Sequence, residues 1–336
     1  MAKLSKTLEI RTSPHILSGY SVDTIMFNVV MALIPVTLFS IFAFGLAALL
    51  VLATAVGSCL LTEHLICRWT GRPTTVGDWS VTITGLLYGL TLPPGLPLWM
   101  VAVGGIVAVA IGKTLFGGLG LNPFNPALVG RAVLQAAFPV SMTTWVQGFL
   151  PDRFLSLPSS TLTLPFTEPI YDVVTGATPL AAWKFDRLAT EAGDLAVGLT
   201  SGSTGETGGL LIILGGIYLI ARNMMNWRIP AAILGTVVLF SGILHLVDAE
   251  NYASPLFRLF SGGLLLGAFF MATDMVGSPM TSAGCVVYGV LIGTLVVVIR
   301  VWGGMPEGVM YAILLGNAIT PHIDLSLIHI SEPTRH

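Results

Sequence analysis

Charge is what this sequence has least of. Only 10% of its 336 residues are Asp, Glu, Lys or Arg, while 54% are hydrophobic, and the mean hydropathy is +0.85. A soluble domain carries about 25% charged residues, so the deficit excludes an ordinary soluble chain and makes lipid the natural solvent. The formal net charge of −2 gives no basic surface for nucleic acid, and no nucleic-acid partner is expected. Cysteine is scarce too. Cys59, Cys67 and Cys285 form no C-x-x-C, and no His/Cys cluster has metal-ligand spacing. No iron–sulfur, zinc or other metal site is therefore assigned, and no side chain is assigned as catalytic. The opening M-A-K-L-S-K-T-L-E-I-R-T-S-P is basic and polar and lacks a short apolar core, so no cleavable leader is expected and the first hydrophobic block should stay as an anchor.

Long uncharged runs stand in place of charge. A helix needs about 20 apolar residues to cross the hydrocarbon. No charge occurs between Asp23 and Glu63, which predicts two helices with a break near Phe44-Gly45. Residues 79–112 predict two more, interrupted by T91-L-P-P-G95, and a fifth is expected from Pro123 to Phe138. Residues 140–207 are polar with no spanning run, and five further blocks follow at 208–221, 229–247, 258–273, 283–301 and 306–321. The fold class expected is an all-α integral membrane protein of about ten transmembrane helices, arranged as two inverted five-helix halves with broken helices. Its parts are a cytoplasmic segment 1–22, a first half 23–139, a loop 140–207, a second half 208–325 and a tail 326–336. That tail, S326-L-I-H-I-S-E-P-T-R-H336, is read as foreign to the fold. G85-L-L-Y-G89 before T-L-P-P-G and G263-L-L-L-G267 before M271-A-T-D-M-V-G-S-P279 suggest an internal repeat, and paired Gly/Pro breaks in inverted halves point to a site at membrane depth.

Orientation follows from Lys and Arg. With the N-terminus inside, Lys3, Lys6, Arg11, Arg68, Arg72, Lys113, Arg222 and Arg228 all fall inside. The loop 140–207, with three bases against seven acids, falls outside. Trp69, Trp79, Trp99 and Trp302 fit an interfacial aromatic belt, Asp78 and Glu307 sit near helix ends as interfacial acids, and His245 and His322 read as structural.

Two segments carry candidate chemistry. In D172-V-V-T-G-A-T178, Gly176 and Ala177 clear bulk from beside the Thr178 hydroxyl, and Pro179 stiffens the exit. A phosphoester at this hydroxyl would need it exposed and sterically open. The second segment, G112-K-T-L-F-G-G-L-G-L-N-P-F-N-P-A127, is Gly-rich but is not G-x-x-x-x-G-K-[ST] and follows no strand, which argues against nucleotide hydrolysis. It reads as a broken connection whose freed backbone must be buried or line a cavity. Asn122 and Asn125 offer hydrogen bonds there. Arg131 lies inside the next helix, where a charge is expensive and functional by default, and Asp274 occupies the corresponding break of the second half. Arg131 either stabilises an anionic ligand or pairs with an acid, and Asp274 is a partner for Arg131, for a ligand or for a cation.

T-L-P-P-G-L-P-L-W, G-K-x-x-F-G-G-x-G-x-N-P-F-N-P-A-L-x-G-R-A, T-G-A-T-P-L and F-F-M-A-T-D together resemble the NqrB/RnfD family of membrane proteins, over residues 10–325. The short N-terminal extension is closer to the RnfD branch, whose members are subunits of the Rnf complex in the bacterial inner membrane. The resemblance implies FMN held covalently at Thr178 through a phosphoester, with Asp172, Thr175, Gly176 and Ala177 as the rest of the recognised motif. A separate flavin transferase would install it. It also implies a second, non-covalent flavin, riboflavin or FMN, within the helices, for which Asn122, Asn125, Arg131 and Asp274 are the proposed lining. The implied function is passage of electrons across the membrane in a complex that couples ferredoxin:NAD oxidoreduction to movement of Na+ or H+. Its partners would be the other membrane and peripheral subunits and membrane lipid, with both termini cytoplasmic. On composition and inverted halves alone, a channel or secondary transporter for a small polar solute fits equally well.

Overall fold

The computed structural model describes residues 21–331, apart from 73, 166, 168, 170–176, 189, 199 and 207. Asp172, Thr175 and Gly176 thus lie outside the described residues. Among those described, every regular element is helical.

Ser21 starts α1 (Val22–Phe44) by accepting from the Thr24 N–H, and Gly45, at φ +67°, separates it from α2 (Leu46–Trp69) where the sequence predicts a break. The broken third helix is α3 (Ser80–Leu90), followed by α4 (Leu98–Ala110). Eleven residues of α3 span only about 16 Å, roughly half the hydrocarbon thickness. Helix α5 (Pro126–Ala137) begins three residues later than expected because Asn125 is its N-cap, with Pro126 in the first turn. The polar loop holds only short helices: α6 (Pro139–Thr143), α7 (Pro179–Ala181, continued by a π turn Ala182–Asp186) and α8 (Ala192–Val197). The second half contains α9 (Gly209–Ala221), α10 (Arg228–Val247), α11 (Pro255–Phe260), α12 (Leu264–Leu266, continued by a π turn Gly267–Met271), α13 (Ser282–Trp302) and α14 (Val309–Ser331). The last helix runs through Ser326 to Ser331, beyond the expected end at Leu325.

Five helical stretches are long and apolar enough to cross a membrane (Val22–Phe44, Leu46–Trp69, Leu98–Phe116, Arg228–Val247 and Ser282–Trp302), with shorter apolar helices between them. This is a multi-pass membrane protein. The repeat is visible in its packing. Helix α2 lies against α3 and α4, and α4 against α5; in the second half α10 lies against α11 and α13, and α13 against α14. The opening helices α1 and α9 pack on each other, as do the closing helices α5 and α14.

Broken helices leave backbone groups that lipid cannot satisfy. The polar loop satisfies the first break. The Thr204 and Gly205 N–H groups donate to the Leu92 and Leu90 carbonyls at 3.1 and 2.7 Å, and the Thr204 hydroxyl donates to Gly89 O at 2.8 Å. Ser160 donates to Gly95 O at 2.6 Å, and Leu98 N–H to Thr161 O at 3.1 Å. In the second half Asn125 donates to Met271 O at 3.2 Å, and Thr320 to Gly277 O at 2.9 Å.

Candidate functional site

Two cavities with polar groups in largely apolar linings lie toward opposite ends of α5 and α9. The first, about 790 Å³ and open to solvent, is lined by Ser80 and Thr84 at the start of α3, by Lys113, Asn122, Asn125 and Pro126 before α5, by Leu219 and Met224 at the end of α9, and by Thr273 and Asp274. The second, about 1400 Å³ and also open, is lined by Arg131 and Gln135 farther along α5, by Thr178 and Ala181 of α7, by Glu206 just before α9, and by Glu307 and Tyr311 at the start of α14.

This division separates residues that sequence reasoning groups together. Asn122, Asn125 and Asp274 share the first cavity, whereas Arg131 lines the second together with Thr178. Six residues of helix, about 9 Å of rise, carry Arg131 away from Asn125. The expected pairing of Arg131 with Asp274 is corrected accordingly: Glu206 and Glu307 are the acids that share its cavity. Its Nε is buried with no hydrogen-bond partner among the described residues, which leaves a donor at the second cavity for a ligand. Glu307 is not a simple interfacial acid. It lies 3.2 Å from Arg300 and accepts from the N–H of Gly263, Gly308 and Val309, which pins the α13–α14 connection to the α11–α12 break. Burial pushes the Glu206 carboxyl up, the neighbouring Glu307 carboxylate adds to this, and Arg131 and Ser203 act the other way. Glu307 is held below the usual carboxylate range: burial alone would raise it, but Arg300 and Arg131 outweigh burial.

Thr178 is buried rather than exposed, for a local reason. It is the N-cap of α7, and its Oγ1 accepts from the Ala181 N–H at 3.2 Å while the side chain borders the cavity. The structure therefore differs from the expectation of an exposed hydroxyl: Thr178 is buried and borders the cavity.

In the first cavity Asn125 is committed within the protein. Its Oδ1 accepts from Ala127 and Leu128, and its Nδ2 donates to Met271 O. Asn122 donates to Phe124 O at 3.1 Å, and Asp274 accepts from the Val276 N–H at 3.4 Å. Sequence reasoning misses a buried ion pair at this cavity's edge. Lys113 lies 2.9 Å from Glu63 and 2.7 Å from Ser80 Oγ, and the Thr75 hydroxyl also donates to Glu63. The signal is there, because Glu63 and Lys113 are the first charges after their apolar runs. The sequence uses Lys113 only as a topology marker. Glu206, a lone acid before an apolar block, is likewise legible as a buried group. Of the four tryptophans expected in a belt, Trp69, Trp79 and Trp302 are exposed, while Trp99 is half-buried and packs edge-on against Phe138 at 5.3 Å. His245 is structural, with Nδ1 2.7 Å from Tyr252 O. Among the described residues, no three or more His, Cys, Asp or Glu side chains come together as a set of metal ligands.

The model of the NQR2, RnfD, RnfE family matches residues 9–330. The chain is 41% identical over 334 residues, covering 96% of each sequence, to the D subunit of the proton-translocating ferredoxin:NAD(+) oxidoreductase complex of Clostridium ljungdahlii. It is 40% identical, over 94% of this chain and 92% of the relative, to the D subunit of the Na(+)-translocating ferredoxin:NAD(+) oxidoreductase complex of Acetobacterium woodii. The D subunit of the ion-translocating oxidoreductase complex of Halorhodospira halophila is 37% identical over 94% and 93%. With a match across nearly its whole length and relatives at this identity, the chain belongs to the NQR2, RnfD, RnfE family.

Proposed function

We propose that this chain is the flavin-bearing membrane subunit of an ion-translocating ferredoxin:NAD oxidoreductase complex in a bacterial inner membrane, with both termini cytoplasmic. The relatives' place as the D subunits of such complexes supports the assignment. FMN joined to Thr178 would occupy the cavity that Thr178 shares with Arg131, and a second flavin, riboflavin or FMN, the cavity bounded by Asn122, Asn125 and Asp274. The observation that carries the reading is one cavity holding both a Thr hydroxyl in the T-G-A-T string and a buried Arg with an unmet donor. A flavin brings reversible electron uptake, with negative charge when reduced. Arg131 would hold that charge, while Glu206 and Glu307 offset the cation when the flavin is neutral. Phe269, Phe270 and methionines form the apolar walls of the first cavity, and Asn122, Asn125 and Asp274 are its polar groups, the mix of a small-molecule site. The other complex subunits, the flavin transferase and surrounding lipid are the partners this function needs.

Mass spectrometry of tryptic peptide 154–184, after co-expression with a flavin transferase, tests the attachment. The peptide should carry an FMN adduct in the parent protein and none in Thr178→Val. An unmodified parent peptide under those conditions overturns the assignment.

A further inference from the structure

A third cavity, about 1010 Å³, adjoins the Thr178 cavity, and Leu180 and Pro306 line both. Four cations face it, Lys184, Arg187, Arg258 and Arg300, against one acid, Asp248. Three of the cations are engaged by the protein. Lys184 donates to the carbonyls of Arg300, Gly303 and Met305 at 2.5–3.2 Å, which caps the end of α13. Arg187 donates to Asn251 O at 2.8 Å and lies over the Trp183 ring. Arg300 donates to Arg258 O and Ser261 O and pairs with Glu307. Asp248 is bonded to Asn251 and to the Glu250 N–H, on its own turn.

Arg258 differs. It is only 6% exposed, its Nε is buried without a partner, and among the described residues no carboxylate or carbonyl accepts from its guanidinium. The charge beside it is Arg300, which is of like sign. A buried charge without a partner is strongly unfavourable, so such a group calls for an anion. The neighbouring cations deepen that demand: Lys184 is held below the usual lysine range by burial and by the Arg258 charge.

We infer that this chamber binds a phosphate group, supplied by a phospholipid headgroup or by free phosphate. The guanidinium fork suits phosphate oxygens, and a chamber of this size exceeds the needs of a monatomic ion. Tyr252 and Trp302 stand at the chamber, and the exposed Leu246, Val247 and Leu256 lie on the helices around it, so a lipid could seat its chains on the protein with its phosphate inside. The phosphate of a flavin at Thr178 is a different group, because it stays bonded to a hydroxyl that lines the neighbouring cavity.

The test uses full-length protein purified in detergent, as the parent, Arg258→Gln, Arg258→Lys and Thr178→Val. Phosphorus NMR titration with inorganic phosphate is one arm. The other is native mass spectrometry after reconstitution with phosphatidylglycerol or phosphatidylethanolamine. The parent should bind in at least one arm, and the arm that responds names the source. Arg258→Gln should weaken binding about tenfold or more, as expected for one charge-assisted contact. Arg258→Lys should restore part of it, which separates a lost ligand contact from a misfolded variant, and Thr178→Val should bind like the parent. Binding in neither arm, or equal binding by folded Arg258→Gln, overturns the inference. Loss of binding in Thr178→Val would reassign the chamber to the flavin phosphate and also overturn it.

Discussion

The cap that Thr178 provides and the FMN attachment proposed for it are compatible. Capping α7 needs only an oxygen that accepts from Ala181 N–H, and an ester oxygen can still accept. Thr178→Ser is therefore expected to keep both the cap and the FMN adduct. Thr178→Val should lose the adduct and cost about 0.5–2 kcal/mol of local stability through the missing cap, read as faster proteolysis between residues 154 and 184. Arg131 acts in the same cavity. Arg131→Leu should make the Thr178-linked flavin harder to reduce, by roughly 59 mV in a one-electron step, or about 30 mV in a two-electron one, for each 1.4 kcal/mol of lost charge stabilisation, while extractable flavin is unchanged. Redox titration with both flavins quantified checks this; a fall in extractable flavin alone would return Arg131 to the first cavity. The two acids give opposite pH signatures. Glu206 has a raised folded value, so above the ordinary carboxylate range stability falls as pH rises, until that folded value is passed. Glu307 has a lowered folded value, so below the ordinary range stability is lost as pH falls. Thermal melts across pH should lose the upper slope in Glu206→Gln and the lower slope in Glu307→Gln. Slopes unchanged in both variants would count against this arrangement.

At the scale of elements, the breaks matter more than the spans. The apolar blocks, the interruption at T91-L-P-P-G95 and the break at Gly45 can be read from uncharged runs and Gly/Pro placement, because those features act locally. What fills the breaks cannot. Thr204 and Gly205 reach Leu90 and Leu92 from more than a hundred residues away, and no local pattern marks S201-G-S-T-G-E206 as a buried plug. The grouping of Arg131 with Asn122 and Asn125 fails for a related reason: closeness in sequence conceals the helical rise that sends them to different cavities. Gly205 is small because it must be. A Cβ there would stand 2.8 Å from Leu90 O. Gly205→Ala should cost about 1–3 kcal/mol through overpacking, seen as a lower melting temperature. A melt equal to the parent's would mean that the plug is loosely seated. Gly262, at φ +69°, is confined by Glu307 and Arg300 in the same way at the other break.

For the whole molecule, orientation decides whether two cavities can move charge. Lys113, one of the residues that argue for an inside N-terminus, lines the cavity bearing Asn122 and Asp274, and the acid-rich loop supplies Thr178 and Glu206 to the other cavity. Arg258 and Arg300 run against the basic-inside trend, but both are buried against the protein, where insertion bias says little about them. If flavins occupy both cavities, electrons passing between them cross much of the membrane, and the transfer itself displaces charge that an ion must balance. That mechanism requires the two ends to face different compartments. Leu164 in the loop and Leu115 between α4 and α5 are both well exposed, and all three native cysteines are buried, so single-cysteine probes can be read against a quiet background. Leu164→Cys should react with a membrane-impermeant thiol reagent in cells whose outer membrane has been made permeable. Leu115→Cys should react only after the inner membrane is opened. Labelling of both positions before the inner membrane is opened, or the reverse order, would place the cavities on the wrong sides and remove the basis for electron flow coupled to charge movement through this protein.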